Sequence, residues 1–170
     1  MYNDKRILFN YGGKQKMFKE MRRKDRSIDD EQAIELLRKG QYGVLSTVGE
    51  NGYAYGVPLN YIYHEGNIYF HCAAEGSKLD NIVYNNKVSF CVVGNTEPIP
   101  DKFSYRYESV IVFGRAVEVY DKEKEGALVA LIQKYSGKFM GKGIEYIQKD
   151  GIKAKVIKIN IEHLTGKAMK

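Results

Sequence analysis

The sequence predicts a mainly β domain in which six antiparallel strands form a closed barrel with a few short helices at its rim. Three observations carry this. From Gln41 the apolar pattern takes on the period of strands, and six such runs follow before Ile161. The first three runs are joined by turns of a few residues, too short for the helical crossovers of a parallel sheet. Helical periodicity is confined to three stretches, and closure of the sheet would leave no exposed edge.

The elements follow in order. Ser27-Ile28-Asp29-Asp30 resembles a capping box, and Ala33, Ile34, Leu36 and Leu37 continue it as an amphipathic helix that Gly40 stops. The first strand runs over Tyr42–Val48 and turns at Glu50-Asn51-Gly52, whose Asn-Gly pair favours a tight hairpin. The second runs from Tyr53 to His64; Pro58 lacks an N–H and puts this strand at an edge or a bulge. Glu65-Gly66-Asn67 then turns the chain into Ile68–Ala73. A helix follows from Gly76-Ser77-Lys78 with Leu79, Ile82 and Val83 on one side, ending at Asn85-Asn86. Val88–Val93 is a buried strand, and Pro98 and Pro100 mark an irregular loop. The run Ser109–Tyr120 is the fifth strand, with Gly114 a bulge or a point of close approach. Asp121 opens a helix with Leu128, Leu131, Ile132 and Tyr135 on one stripe. In the last strand, Ile152–Ile161, the apolar phase moves from 152, 154, 156 to 157, 159, 161, which implies a bulge or burial on both faces.

Composition bounds the function. A chain of 170 residues suits one domain. Its 14 Tyr and 7 Phe, with 44% hydrophobic residues, exclude a disordered chain. No apolar run approaches the roughly 20 residues of a membrane span, and the N-terminus offers only Ile7-Leu8-Phe9 where a secretory leader needs a longer run. Cys72 and Cys91 have neither CxxC nor Cys/His spacing, so no structural zinc or disulfide is expected and the compartment is read as the reducing cytoplasm. The net charge of +6 is local. Residues 1–26 hold nine Lys or Arg and three Asp or Glu, while the other 144 residues balance at 18 and 18. Residues 1–20 are therefore read as a basic N-terminal extension and 21–170 as the barrel domain. The neutral body argues against a nucleic-acid surface.

The best local site is Phe70-His71-Cys72-Ala73-Ala74-Glu75-Gly76-Ser77-Lys78. A strand runs through a small-residue loop into a helix whose first turn offers free N–H groups, a hydroxyl and an ammonium, an arrangement that suits phosphate. On these residues alone the signal is weak, and an ordinary helix cap with a solvated lysine is the favoured reading. His71 and Cys72 alternate along the strand, so only one can face the barrel interior. A free strand cysteine is ordinarily core filling, and a strand-end histidine is somewhat more often packed and hydrogen-bonded than engaged in acid–base work. Tyr53, Tyr55, Tyr61, Tyr63 and Tyr69 could stack a flat ligand, but strand tyrosines mostly pack. Tyr105-Arg106-Tyr107-Glu108 reads as a solvated strand beginning.

Met21–Arg26, Gly43–Thr47, Tyr55–Tyr61, Tyr69–Ile82, Val88–Gly94 and Leu164–Lys167 together resemble the Nim family of 5-nitroimidazole-resistance proteins. These belong to the pyridoxamine 5′-phosphate oxidase-like, FMN-binding split barrels. The resemblance implies a six-stranded split β-barrel and a homodimer with a flavin at the subunit interface, FMN as cofactor with FAD the alternative, and a small-molecule substrate. It implies that Ser77 and Lys78 hold the FMN phosphate and that Val57, Pro58, Leu59 and Asn60 lie along the isoalloxazine. Cys72 and Ala73 complete the cofactor-binding set, His71 is both a cofactor contact and the catalytic residue, and Ser109 reaches the flavin from the second subunit. The implied activity is flavin-dependent reduction of small electrophiles such as nitroimidazoles; a flavin- or haem-binding protein without turnover is the alternative. No basic cluster for a phosphorylated pyridoxine is present, so vitamin B6 oxidation is not expected.

Overall fold

A computed structural model of the protein describes residues 18–151 and 153–169. Residues 1–17 of the expected basic extension 1–20, and Ile152 at the expected start of the last strand, lie outside them.

In order, the elements are β1 (Ser27–Ile28), α1 (Asp30–Lys39), β2 (Gly43–Val48), β3 (Ala54–Leu59), β4 (Ile62–His64), β5 (Asn67–Cys72), α2 (Ser77–Tyr84), β6 (Lys87–Ile99), β7 (Ser104–Val119), α3 (Asp121–Ser136), α4 (Met140–Asp150) and β8 (Lys155–Met169). All strand pairs are antiparallel, in the order β3-β2-β6-β7-β8-β5-β4, with β1 added beside β8. The six expected strands are the six long ones, so the mainly β barrel with peripheral helices stands. The ladder, however, is open: β3 and β4 are its two ends and pair with one neighbour each. Pro58 sits in β3, the end strand, where its missing N–H costs no ladder bond on the free side.

The expected second strand, Tyr53–His64, divides at Asn60–Tyr61. Tyr61 keeps the core-facing phase of Val57 and Leu59 and donates its hydroxyl to the Leu37 carbonyl at 2.6 Å, but its backbone N–H and carbonyl are taken by Tyr135 and Lys134 of α3 at 3.1 and 3.0 Å and not by a neighbouring strand. Ser27 is likewise not a cap. It pairs with Lys167 as β1, and Asp29 caps α1 by accepting from the Gln32 N–H at 2.8 Å. The loop expected around Pro98 is strand, because β6 and β7 extend past a bulge at Val93/Thr96 to pair Pro98 with Tyr105. Helix α4 was not anticipated; it carries Gly141 and Gly143, poor helix formers, and exists by packing on α3.

Gly114 meets its expectation. A side chain there would strike the Asn160 carbonyl oxygen, and the ladder slips one residue beside it, between Phe113–His163 and Gly114–Ile161. The phase change of the last strand has a separate cause. Val156 is buried against α3 and Ile157 is buried in the barrel, so this segment has two covered faces, as one of the two expectations held. The barrel core centres on Leu45, Tyr61, Ile68, Phe70, Phe90 and Val112 and is plugged by Leu37 of α1 and Leu79 and Ile82 of α2. Burial of each such side chain is worth about 1.5–3 kcal/mol.

Candidate functional site

Helix α2 starts at the open side of the barrel. Its N-cap is Gly76, with φ +132° and open space around the α-carbon, so backbone conformation rather than crowding selects glycine. No side chain caps this end. The Leu79 and Asp80 N–H groups return to the Gly76 carbonyl at 2.8 and 3.3 Å, and those of Ser77 and Lys78 have no acceptor within the helix. Ser77 is therefore the first helical residue and not a cap. Its exposed hydroxyl and the half-buried Lys78 stand at the positive end of α2.

The alternation in β5 resolves as the pleat requires. Cys72 packs against the barrel core, and His71 is exposed on the other face. Burial pushes the Cys72 thiol above its ordinary pKa, against the opposing pull of the nearby Lys78 ammonium, so this cysteine stays protonated and inert at neutral pH. Glu118 and Lys155, themselves paired at 2.9 Å, also act on it. Ala73, just past β5, is exposed.

The same core joins α2 to β3. Val57 and Leu59 of β3, Cys72 of β5, and Leu79 and Ile82 of α2 pack into one cluster. A polar relay runs beside it: Asn81 donates to Thr47 Oγ1 at 3.0 Å, and Thr47, itself buried, donates to the Tyr55 carbonyl of β3 at 3.5 Å. Asn81 lies one turn beyond Ser77 on the same helix face. Pro58 and Asn60 are exposed at the end of β3, and Asn60 Nδ2 donates to the Gln41 carbonyl at 3.2 Å. Sequence reasoning missed Asn81 and Thr47; a polar pair at i+4 from the helix start and within an otherwise apolar strand was the available signal.

Ser109 is not brought to this group within one chain. It lies on β7, with β2 and β6 between it and β3, so about 14 Å of sheet separates them. Its register partners are Val93 and Lys167. That outer face of the sheet is unusually apolar: Val93, Ile111 and Phe113 are 54%, 41% and 38% exposed. Phe18 lies across it, stacked on His163 at 4.6 Å and on Phe113 at 5.4 Å, and covers a cavity of about 360 Å³ bounded by Ser46, Val48, Ala54 and Ser89.

Of the tyrosines, Tyr61 and Tyr69 are core. Tyr69 is pushed up to about 12 by burial and then by the Glu123 carboxylate that its hydroxyl meets at 3.0 Å. Tyr63 is half-buried beside the Arg38 guanidinium, and Tyr53 and Tyr55 remain exposed. Arg106 pairs with Glu97 at 2.9 Å, and Tyr107 accepts from Arg26 at 3.2 Å, which holds its phenol below the ordinary range. Among the described residues no group of three or more His, Cys, Asp or Glu is arranged to hold a metal, and no helix is long and apolar enough to cross a membrane.

Residues 29–168 match the family model for pyridoxamine 5′-phosphate oxidase. Among solved structures, a candidate 5-nitroimidazole antibiotic resistance protein from Bacteroides thetaiotaomicron is 23% identical, with a TM-score of 0.69 over 84% of this chain and 86% of that one. A conserved hypothetical protein from Mycobacterium tuberculosis is 17% identical, with a TM-score of 0.76 over 88% and 90%. An FAD and heme binding protein from Mycobacterium smegmatis is also 17% identical, with a TM-score of 0.70 over 84% and 72%. At these identities the likeness concerns the fold. No curated protein matches the chain.

Proposed function

The chain belongs to the pyridoxamine 5′-phosphate oxidase family, and from that premise we propose that it is an FMN-dependent oxidoreductase of the nitroimidazole-reducing type. The observation that carries the reading is the start of α2, an uncapped helix N-terminus with Ser77 and Lys78 at its mouth and β3 tied to the same helix through Asn81 and Thr47. Family membership supplies the fold and leaves the substrate to the site.

In this reading the Ser77 hydroxyl, the Lys78 ammonium and the first N–H groups of α2 bind the phosphate of FMN. Val57, Pro58, Leu59 and Asn60 line the flat ring with backbone and short side chains, and Cys72 and Ala73 border it from the end of β5. When bound, FMN supplies the two-electron carrier that no side chain provides. His71, exposed on β5, orients a small flat electrophile and gives it a proton from an imidazole nitrogen. The protein is a homodimer: the apolar face bearing Val93, Ile111 and Phe113 meets its copy, which brings Ser109 to the flavin across the interface and excludes water. FAD binding without turnover, alone or with haem, is the second reading, and the FAD and heme binding protein of the same fold favours it.

The test is the visible spectrum of the purified protein titrated with FMN and with FAD. Uptake of FMN with NADH- or NADPH-driven loss of a nitroimidazole supports the first reading. Flavin uptake without turnover selects the second, and a protein that takes up neither flavin sinks both. Lys78→Ala should weaken FMN about 10- to 100-fold, the loss of one charge-assisted phosphate contact. Unchanged affinity would remove Lys78 from the phosphate site.

A further inference from the structure

We propose that Lys134 and Tyr135 of α3 are positioning residues for the flavin-lining end of β3, which they hold by clamping the Gly40–Gln41 and Asn60–Tyr61 backbones together. The inference rests on the flavin reading above for what β3 lines, and on the following geometry for the clamp. Lys134 Nζ donates to the Gly40 carbonyl at 2.6 Å and to the Tyr61 carbonyl at 3.0 Å. The Tyr135 hydroxyl accepts from the Tyr61 N–H at 3.1 Å and sits 2.8 Å from the carbonyl oxygens of both Gln41 and Tyr61, its single proton serving one at a time. Asn60 Nδ2 completes the set at the Gln41 carbonyl.

Two facts make this more than ordinary packing. Strand β3 ends the sheet and has β2 alone as ladder partner, so its last residues depend on whatever holds the corner that follows. Lys134 has no carboxylate within ion-pair distance among the described residues. Its ammonium is spent on two carbonyls from different segments and on the faces of Tyr61 and Tyr135, at 4.2 and 5.3 Å from the ring centres. A half-buried ammonium is a costly way to fill space, whereas three donors on one atom are suited to joining loops that share no ladder. Neither Lys134 nor Tyr135 is among the residues placed along the ring, so their action on the flavin passes through Asn60 and the end of β3.

The test compares the full-length wild type with Lys134→Met, which keeps the stem, Lys134→Arg, which keeps a charged multiple donor, and Tyr135→Phe, which removes one oxygen. FMN affinity and the flavin absorption band are measured for each, together with hydrogen exchange of the flavin-free protein. Lys134→Met and Tyr135→Phe are expected to weaken FMN roughly tenfold or more and to shift the bound band. They should also speed exchange at residues 58–62 while α2 exchanges as before, and Lys134→Arg should restore most of the affinity. A folded Lys134→Met protein with wild-type affinity and spectrum overturns the proposal, as does exchange that rises evenly over the whole barrel. If Lys134→Met does not fold, Tyr135→Phe decides by the same readings. A wild type that binds no flavin overturns the flavin reading and the positioning role with it, an outcome seen in the wild-type arm and so distinct from failure of the clamp.

Discussion

Replacing Tyr61 by Phe tests how the barrel is joined to α1. Tyr61 is fully buried, and its hydroxyl donates to the Leu37 carbonyl at 2.6 Å, in the last turn of α1 where carbonyls lack intrahelical partners. Phenylalanine keeps the ring, the edge-to-face contact with Phe90 at 4.9 Å and the face beneath Lys134, so no cavity opens and the ring contacts survive. What is lost is one hydrogen bond, and what is left is a buried acceptor without a donor. Such an orphan costs about 1–3 kcal/mol, and the short, fully buried contact places Tyr61→Phe near 2 kcal/mol. For a chain of this size that corresponds to a fall in Tm of roughly 4–8 °C. Urea unfolding followed by circular dichroism should show a lower midpoint at an unchanged slope. Tyr69→Phe is the control: its hydroxyl meets Glu123, which retains Lys158 at 2.8 Å, so a loss below about 1 kcal/mol is expected. A Tyr61→Phe protein within about 0.5 kcal/mol of wild type, the lower end of the range for a neutral hydrogen bond, would refute the claim that this bond fastens α1.

Three other outcomes are expected. Gly114→Ala drives a methyl group into the backbone of β8, which cannot yield as a side chain can, and should cost about 2–4 kcal/mol or abolish folding, measured by the same urea titration. Burial lowers Lys134 to about 8 from the ordinary 10.5, so between those values the unfolded chain binds more protons at this site and stability rises with pH. Wild type should therefore gain on Lys134→Met, by on the order of 1 kcal/mol after allowance for its half-exposed side chain, between pH 8 and pH 10; parallel stability curves would contradict this. Ile111→Glu places a charge on the apolar outer face without touching the core and should give a folded monomer by light scattering, and a persistent dimer would move the interface elsewhere.

Much of the fold was legible because local chemistry decided it. The Asn51-Gly52 turn forms, with the Gly52 N–H on the Gly49 carbonyl at 2.9 Å, and Pro58 marks an end strand. The Gly76-Ser77-Lys78 helix start is where the sequence put it, and so is the close approach at Gly114. Other elements were misread where a distant partner outweighed the local pattern. Ser27 has the chemistry of a cap, but pairing with Lys167 claims it for β1. Residues 53–64 read as one strand, but at Tyr61 the backbone N–H and carbonyl go to Tyr135 and Lys134 of α3, which interrupts the ladder. Lys134 carries no local signal for its role, because its acceptors, Gly40 and Tyr61, are 94 and 73 residues away.

The sequence by itself determined the antiparallel class, the hairpin turns at Asn51-Gly52 and Glu65-Gly66, and an anion-suited helix start after a strand carrying His71 and Cys72, because each depends on residues within a few positions of one another. Only the tertiary structure decided the order β3-β2-β6-β7-β8-β5-β4, the face on which Cys72 is buried and His71 exposed, the tie from Asn81 through Thr47 to β3, and the clamp at Asn60–Tyr61. Those depend on which strands become neighbours, and that choice is made by burying the whole apolar set at once, a condition no local period encodes.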